Sequence, residues 1–148
     1  MIGPHGRTWV GLCAAALVCV ATASGGRVAA QEGQTTSSGV YTEAQAARGE
    51  DVYNSSCAVC HGANLSGSEM GPELAGGSFV GFWAGLSLGD LYQVMSISMP
   101  QDNPGSLDTA QYVDVIAYML QRSEFPAGSE ELHEDGLSDV EIQAAEGQ

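Results

Sequence analysis

The sequence contains no lysine, and its only strongly basic side chains are four arginines, at positions 7, 27, 48 and 122. Against them stand 18 acidic residues, which give the 148-residue chain a formal net charge of −14 at pH 7. Nucleic acid and anionic lipid are poor partners for such a surface, because both are negatively charged themselves. A protein with a basic patch is favoured instead, since complementary fields raise encounter rates at low salt. An acidic surface that only keeps the protein soluble, or reflects a salty habitat, is the alternative interpretation.

The sequence also lacks an apolar run of the ~20 residues that a helix needs to cross a bilayer. The apolar stretch Trp9–Val20 is shorter, follows the basic Arg7 and is itself followed by small residues. These features predict a secretory signal peptide over residues 1–30, cleaved after Ala23 or Ala30, and a periplasmic mature protein without a membrane span. Cleavage removes two arginines and none of the 18 acidic residues, which leaves a formal charge of −16.

Cysteine is scarce, and two of the four, Cys13 and Cys19, lie inside the predicted signal peptide. The mature chain therefore has no disulfide framework and keeps only the pair in Cys57-Ala58-Val59-Cys60-His61. The spacing C-x-x-C-H is the signature for covalent attachment of a c-type haem, and its single occurrence predicts one haem. Because residues three and four apart share a helix face, both thiols and the His61 imidazole can face one ligand.

Three other interpretations of this motif are weaker. A structural disulfide would not need His61. A thioredoxin-like site would need a βαβ context, and no strand-rich, β-branched segment precedes the motif. A zinc site would need about four ligands, and beyond the motif the processed chain offers only His133 as a nitrogen or sulfur donor.

Helix-capping patterns predict three main helices. The predicted N-caps are Thr42, Ser87 in a box with Asp90, and Asp108 in a box with Gln111. The first helix runs to about Ser55 and leads into the haem motif, and the third ends at Arg122. We therefore predict an all-α domain over residues 42–122, with three main helices wrapped around one covalently bound haem that completes a small core.

The segments around these helices are predicted to be irregular. Residues 62–86 are rich in glycine and predict a loop that wraps the haem. Trp83 in this loop is expected to form pocket wall, with contact to a haem propionate or relay of electrons as the alternative. Residues 31–41 are polar and small, which predicts a flexible lead-in.

Iron held by His61 needs either an open position or a second ligand on its other side. Met99 ends the second predicted helix and is followed by Pro100, which stiffens the loop that would present the Met99 sulfur. We predict Met99 as the axial partner of His61, a pairing that raises the reduction potential. The competing donors are Met95 and Met119, which fall on apolar helix stripes, Met70, which is close in sequence to His61, and His133.

Residues 42–142 resemble a class I monohaem cytochrome c. Gly49 and Tyr53 stand eight and four residues before Cys57, as do the glycine and the aromatic residue of that family's N-terminal helix. The sequence Asp-Val-Ile-Ala-Tyr at 114–118 is similar to the family's C-terminal helix, so the resemblance implies that Tyr118 packs over Gly49.

Gly71-Pro72 matches the proline that follows the haem motif in the same family. The resemblance implies that the Pro72 carbonyl accepts the ring N–H of His61 and thereby fixes the tautomer and orientation of the imidazole. An ordinary turn at these residues is the alternative.

A narrower set of motifs resembles the cytochromes and cytochrome domains that serve quinoprotein (PQQ) alcohol dehydrogenases. It comprises Met99-Pro100, the sequence at 104–107, Tyr112, the sequence Ala-Tyr-Met-Leu at 117–120, Phe125-Pro126-Ala127-Gly128 and Glu131-Leu132. This resemblance implies that an acidic C-terminal extension, residues 123–148, packs back on the domain. Its apolar anchors would be Leu132, Leu137, Val140 and Ile142.

Together these features favour a periplasmic one-electron carrier rather than an enzyme, with no catalytic residue in a recognisable acid–base arrangement. The resemblance implies a quinoprotein dehydrogenase and a terminal oxidase as redox partners, and the acidic charge of the chain favours a basic docking patch on them. A five-coordinate haem enzyme or gas-binding protein is one alternative. A fixed cytochrome subunit of a dehydrogenase complex is the other.

Overall fold

A computed structural model of the chain describes residues 33–144, together with Met1 and Gly3. Apart from Met1 and Gly3, the predicted signal peptide lies outside the described residues. In the described part, five α-helices and two 3₁₀ helices form most of the regular structure. They are α1 (Glu43–Ser56), α2 (Ala58–His61), α3 (Gly77–Trp83), α4 (Leu88–Ser98) and α5 (Thr109–Arg122), with 3₁₀ helices at Thr36–Ser38 and Glu134–Asp139.

Within the described residues, the strands are two short ones, β1 (Gln34–Thr35) and β2 (Val140–Glu141), which pair in parallel. The predicted all-α fold class is confirmed. None of the helices within the described residues has the length and apolar character needed to cross a membrane.

Each of the three long helices begins directly after its predicted N-cap residue. The Thr42 hydroxyl accepts the backbone N–H of Gln45 at 3.1 Å, which caps α1. Ser87 and Asp90 form a reciprocal box at the start of α4, and Asp108 and Gln111 form one at the start of α5. Each cap satisfies backbone donors that a helix terminus leaves without partners.

Helices α1 and α5 cross at Gly49. A Cβ atom on Gly49 would overlap the backbone carbonyl of Asp114 in α5, so the two helices approach as closely as they do only because residue 49 has no side chain. One turn further on, the rings of Tyr53 and Tyr118 pack with their centroids 5.6 Å apart. The packing of Tyr118 over Gly49 that the family resemblance implied is present, and it fixes the end of α1 that enters the haem motif.

Part of the segment predicted as a loop is helical. Residues 77–83 form α3, which is anchored by the buried side chains of Phe79 and Val80. The glycines that suggested irregular structure lie at its start, where Gly76 has a φ of +83° as the N-cap, and inside it at Gly81. Burial of the two apolar side chains outweighs the weak helix propensity of these glycines.

The lead-in predicted to be flexible is packed over residues 34–41. Thr36, Val40 and Tyr41 are buried, and the Tyr41 hydroxyl donates to the carbonyl of Phe125 at 2.7 Å. The parallel pair places Gln34 opposite Val140. Contacts with the C-terminal extension, which are distant in sequence, order this polar segment.

The C-terminal extension lies against the domain. Leu132, Leu137, Val140 and Ile142 are all buried. The Gln45 side chain exchanges two hydrogen bonds of 2.8 Å with the backbone of Leu132. Arg48 of α1 adds an ion pair to Glu131 at 2.9 Å and another to Asp114 at 2.9 Å, so one guanidinium joins α1, α5 and the extension.

Candidate haem site

Helices α2 to α5 and the loop after α2 surround a cavity of about 960 Å³. This volume is at the upper end of the ~300–1,000 Å³ typical of ligand pockets. Apolar side chains form most of its wall, and the charged residues among the described lining are Glu73 and Asp102, both acidic. The structure brings all six residues predicted for the site to this one cavity: Cys57, Cys60, His61, Pro72, Trp83 and Met99.

The Cys57–His61 motif forms a single helical turn. The backbone N–H of Cys57 still bonds to Tyr53 in α1, at 2.9 Å, and the Cys57 carbonyl accepts the N–H groups of Cys60 at 3.1 Å and His61 at 3.0 Å. The Tyr53 hydroxyl donates to the Gly62 carbonyl at 2.6 Å, just after the turn. The turn is therefore held at both ends by one buried tyrosine.

Cys57 and Cys60 are free, partly buried thiols. Burial, with a smaller contribution from Cys60, raises the pKa of the Cys57 thiol to about 11. A thiol that stays protonated at neutral pH differs from the activated thiolates of redox-active C-x-x-C motifs. This environment therefore disfavours a thioredoxin-like site.

The zinc interpretation also lacks support in the described residues. His133, the one further donor that the sequence offered, lines a different cavity, of about 290 Å³. No group of three histidine, cysteine, aspartate or glutamate side chains in residues 33–144 is arranged to hold a metal ion.

His61 is oriented from its Nδ1 side. Its Nδ1 lies 2.8 Å from the carbonyl oxygen of Pro72, the contact that the family resemblance implied. Because a carbonyl only accepts, Nδ1 carries the proton, which leaves the lone pair of Nε2 available for a metal. A Cβ atom on Gly71 would lie 2.9 Å from His61 Nδ1 and 3.0 Å from the Cys60 carbonyl, so glycine is needed beside the imidazole.

Met99 is the C-cap of α4, with extended backbone angles of φ −124° and ψ 153°. Its N–H bonds to the Met95 carbonyl at 2.8 Å, and its own carbonyl accepts the Tyr112 hydroxyl at 2.5 Å. Sequence reasoning did not find the second bond, because the acceptor is a backbone carbonyl 13 residues away.

The other methionines predicted as competitors also line the cavity. Met119 is 1% exposed within the core of α5, and Met95 is partly buried against that core. Met70 is 64% exposed and precedes Gly71, which contacts the His61 ring. His133 does not reach this cavity.

The residues present fit a covalently held porphyrin. Two thiols and one imidazole with a free Nε2 sit on a single turn, and methionine sulfurs line the same cavity. The apolar wall suits a flat, largely apolar macrocycle, and Trp83 and Phe79 contribute aromatic surface to it.

Comparison with known proteins agrees with this reading of the site. The model of a family described as "Cytochrome C oxidase, cbb3-type, subunit III" matches residues 44–119, just over half of the chain. Among solved structures, the chain is similar to the sulfane dehydrogenase SoxCD from Paracoccus pantotrophus, with a TM-score of 0.57 and 19% sequence identity. That match covers 90% of this chain and 68% of the other, and at this identity it shows the fold alone. A comparison with curated proteins gave no match.

The family match spans the elements that build the site, from the start of α1 through the haem motif to Met119 in α5. It supports the resemblance to class I monohaem cytochromes c, while the narrower link to quinoprotein alcohol dehydrogenases stays a prediction. The chain belongs to the family of cbb3-type cytochrome c oxidase subunit III, and it is a cytochrome c domain that carries a covalently attached c-type haem and serves electron transfer.

Proposed function

We propose that the protein is a periplasmic one-electron carrier whose haem iron is held between His61 and Met99. When bound, the haem supplies an iron that alternates between Fe(II) and Fe(III). The chain itself tethers the porphyrin, orients the ligands and limits access of water. Its electron donor is proposed to be a dehydrogenase, in line with the resemblance noted above.

The observation that carries this proposal is the arrangement of His61 and Met99 around one cavity. The bond from Nδ1 to the Pro72 carbonyl occupies one ring nitrogen, which leaves Nε2 for the iron and raises the basicity of the ligand. Met99 lies at the end of α4, on a segment held through its own backbone, and lines the same cavity.

Position in the fold favours Met99 over the other methionines. Met119 is enclosed in the helix core, where packing explains it. Met70 is tied by its neighbour Gly71 to the side of the cavity that His61 occupies. Met95 is in the last turn of α4 and packs against the core cluster.

The charge of the chain supports a partner with a basic docking surface. With residues 1–30 removed, the chain keeps two arginines, and the guanidinium of one of them, Arg48, is already paired with Asp114 and Glu131. The two charged residues on the cavity wall, Glu73 and Asp102, are acidic as well. A basic partner would therefore be attracted both by the net charge at long range and by the acidic residues that line the cavity.

A fixed subunit of a larger assembly is the second candidate. The matching family is described as a subunit of an oxidase, and the similar solved structure is titled a dehydrogenase. Sizing the native protein distinguishes the two candidates, because a subunit elutes with its larger partner and a diffusing carrier elutes at the size of the single chain.

Substitution of the proposed ligand tests the iron coordination. Met99→Ala should remove the sulfur-to-iron charge-transfer band of the oxidised protein, lower the midpoint potential and allow rapid CO binding by the reduced protein. Met70→Ala is the matched control, since it removes a methionine from the same cavity, and it should leave all three properties unchanged. A charge-transfer band that survives Met99→Ala, or disappears in Met70→Ala, would contradict the assignment.

A further inference from the structure

We propose that Tyr112 is a positioning residue for the iron centre, in which its hydroxyl holds the Met99 main chain so that the Met99 sulfur stays within reach of the iron. The inference rests on the proposed His61 and Met99 ligation and deepens it, because it names what keeps the methionine in place.

The position of Met99 is set by hydrogen bonds to its backbone and by the loop that follows it. Its carbonyl accepts the Tyr112 hydroxyl at 2.5 Å and, less closely, the N–H of Gly105 at 3.3 Å. Residues 101–106 beyond it are exposed, so the loop has little buried surface to fix it. The hydrogen bond from the Tyr112 hydroxyl is therefore the shortest one that joins Met99 to a helix.

Tyr112 is itself well fixed. It is 3% exposed and lies in the first turns of α5, where its N–H bonds to the carbonyl of the N-cap Asp108 at 3.2 Å. Its ring packs edge-on against the ring of Tyr92 in α4, with centroids 6.1 Å apart and planes at 88°. A capped helix thus carries one hydroxyl to the end of the neighbouring helix.

Loss of this hydroxyl should let the methionine leave the iron more often. The net strength of an ordinary hydrogen bond corresponds to about a two- to tenfold change in an equilibrium constant. The fraction of reduced protein with an open iron should rise by the same factor. The rate of CO binding at a fixed CO concentration reports this fraction.

The test compares Tyr112→Phe with Tyr41→Phe in the full-length protein with its haem. Both variants lose a tyrosine hydroxyl bound to a backbone carbonyl, but the Tyr41 hydroxyl bonds to Phe125, outside the haem cavity. We expect Tyr112→Phe to bind CO about two- to tenfold faster than the parent and to weaken the sulfur-to-iron band. Tyr41→Phe should bind CO at the parental rate, even if it unfolds at a lower urea concentration.

Each other outcome contradicts the inference in an identifiable way. Equal CO rates in Tyr112→Phe and the parent, with Met99→Ala fast, would overturn the role of Tyr112 and leave the ligation intact. Equal acceleration in both tyrosine variants would show general loosening instead of positioning. A charge-transfer band that persists in Met99→Ala would overturn the ligation and, with it, this inference.

Discussion

Replacing Gly49 by alanine tests whether the crossing of α1 and α5 depends on close backbone approach. Two effects oppose each other at this position. Helix propensity alone favours the substitution, because alanine in a helix interior is more stable than glycine by about 1 kcal/mol. The packing opposes it, since the new Cβ atom would overlap the Asp114 carbonyl.

The packing effect should be the larger one. Overfilling a well-packed site costs about 1–3 kcal/mol, and the obstacle here is backbone inside a helix, which cannot rotate away as a side chain could. Taking the upper end of that range and subtracting the propensity gain leaves a net loss of about 2 kcal/mol. With a denaturant slope of about 1–3 kcal/mol/M, the urea midpoint should fall by roughly 0.7–2 M.

Urea unfolding of the haem-bearing protein measures this change. Gly81→Ala in α3 is the matched control, because a Cβ atom there would meet no atom within 4 Å. The same chemical change should then raise the unfolding free energy by up to about 1 kcal/mol. A Gly49→Ala protein as stable as the parent, or more stable, would refute the close-approach argument.

Three further predictions concern the histidine, the extension and the partner. Gly71→Ala should push the His61 ring away from Pro72, which lowers the basicity of the ligand and raises the midpoint potential. Gly136→Ala is the control, because its Cβ atom would meet no atom within 4 Å, and it should leave the potential unchanged. Equal midpoint potentials in the two variants would contradict the packing argument. The hydrogen bond from Arg48 holds the pKa of Glu131 below its usual value. The ion pair between Arg48 and Glu131 therefore stabilises the fold above a pH of about 4.3, and this stabilisation is lost as the pH falls through the lowered folded-state pKa of Glu131. Urea midpoints should therefore separate Glu131→Gln from the parent at neutral pH but not in acid, with Glu130→Gln as the control, and a gap that persists in acid would count against the ion pair. Electron transfer with a basic partner should slow as added salt reduces the Debye length below about 10 Å, whereas a flat salt dependence would remove the steering argument.

The features predicted from sequence were those set by neighbouring residues. The N-caps Thr42, Ser87 and Asp108 act within three residues of themselves, so their signals survive without knowledge of the fold. The haem motif is local in the same sense, because one helical turn places Cys57, Cys60 and His61 together. Its family was recognisable because Gly49 and Tyr53 stand at fixed distances from the first cysteine.

What the sequence did not predict depends on contacts between distant residues. The segment at 34–41 is polar and was therefore predicted to be flexible. It is ordered by residues that are distant in sequence, namely Val140, which pairs with Gln34, and Phe125, which accepts the Tyr41 hydroxyl. Helix α3 was not predicted, because its glycines indicate irregular structure and the apolar pair Phe79-Val80 fits a loop over a cofactor as well as a helix. The bond from Tyr112 to Met99 carries no sequence signal, because any residue supplies a backbone carbonyl.

The central claim is that one porphyrin is covalently attached to this chain through Cys57 and Cys60. Extraction of the purified protein with acidified acetone tests it most directly, because this treatment removes a haem that is held only by coordination and packing. We predict that the colour stays with the precipitated polypeptide. Colour that moves into the solvent, or a protein that is colourless before extraction, would contradict the account.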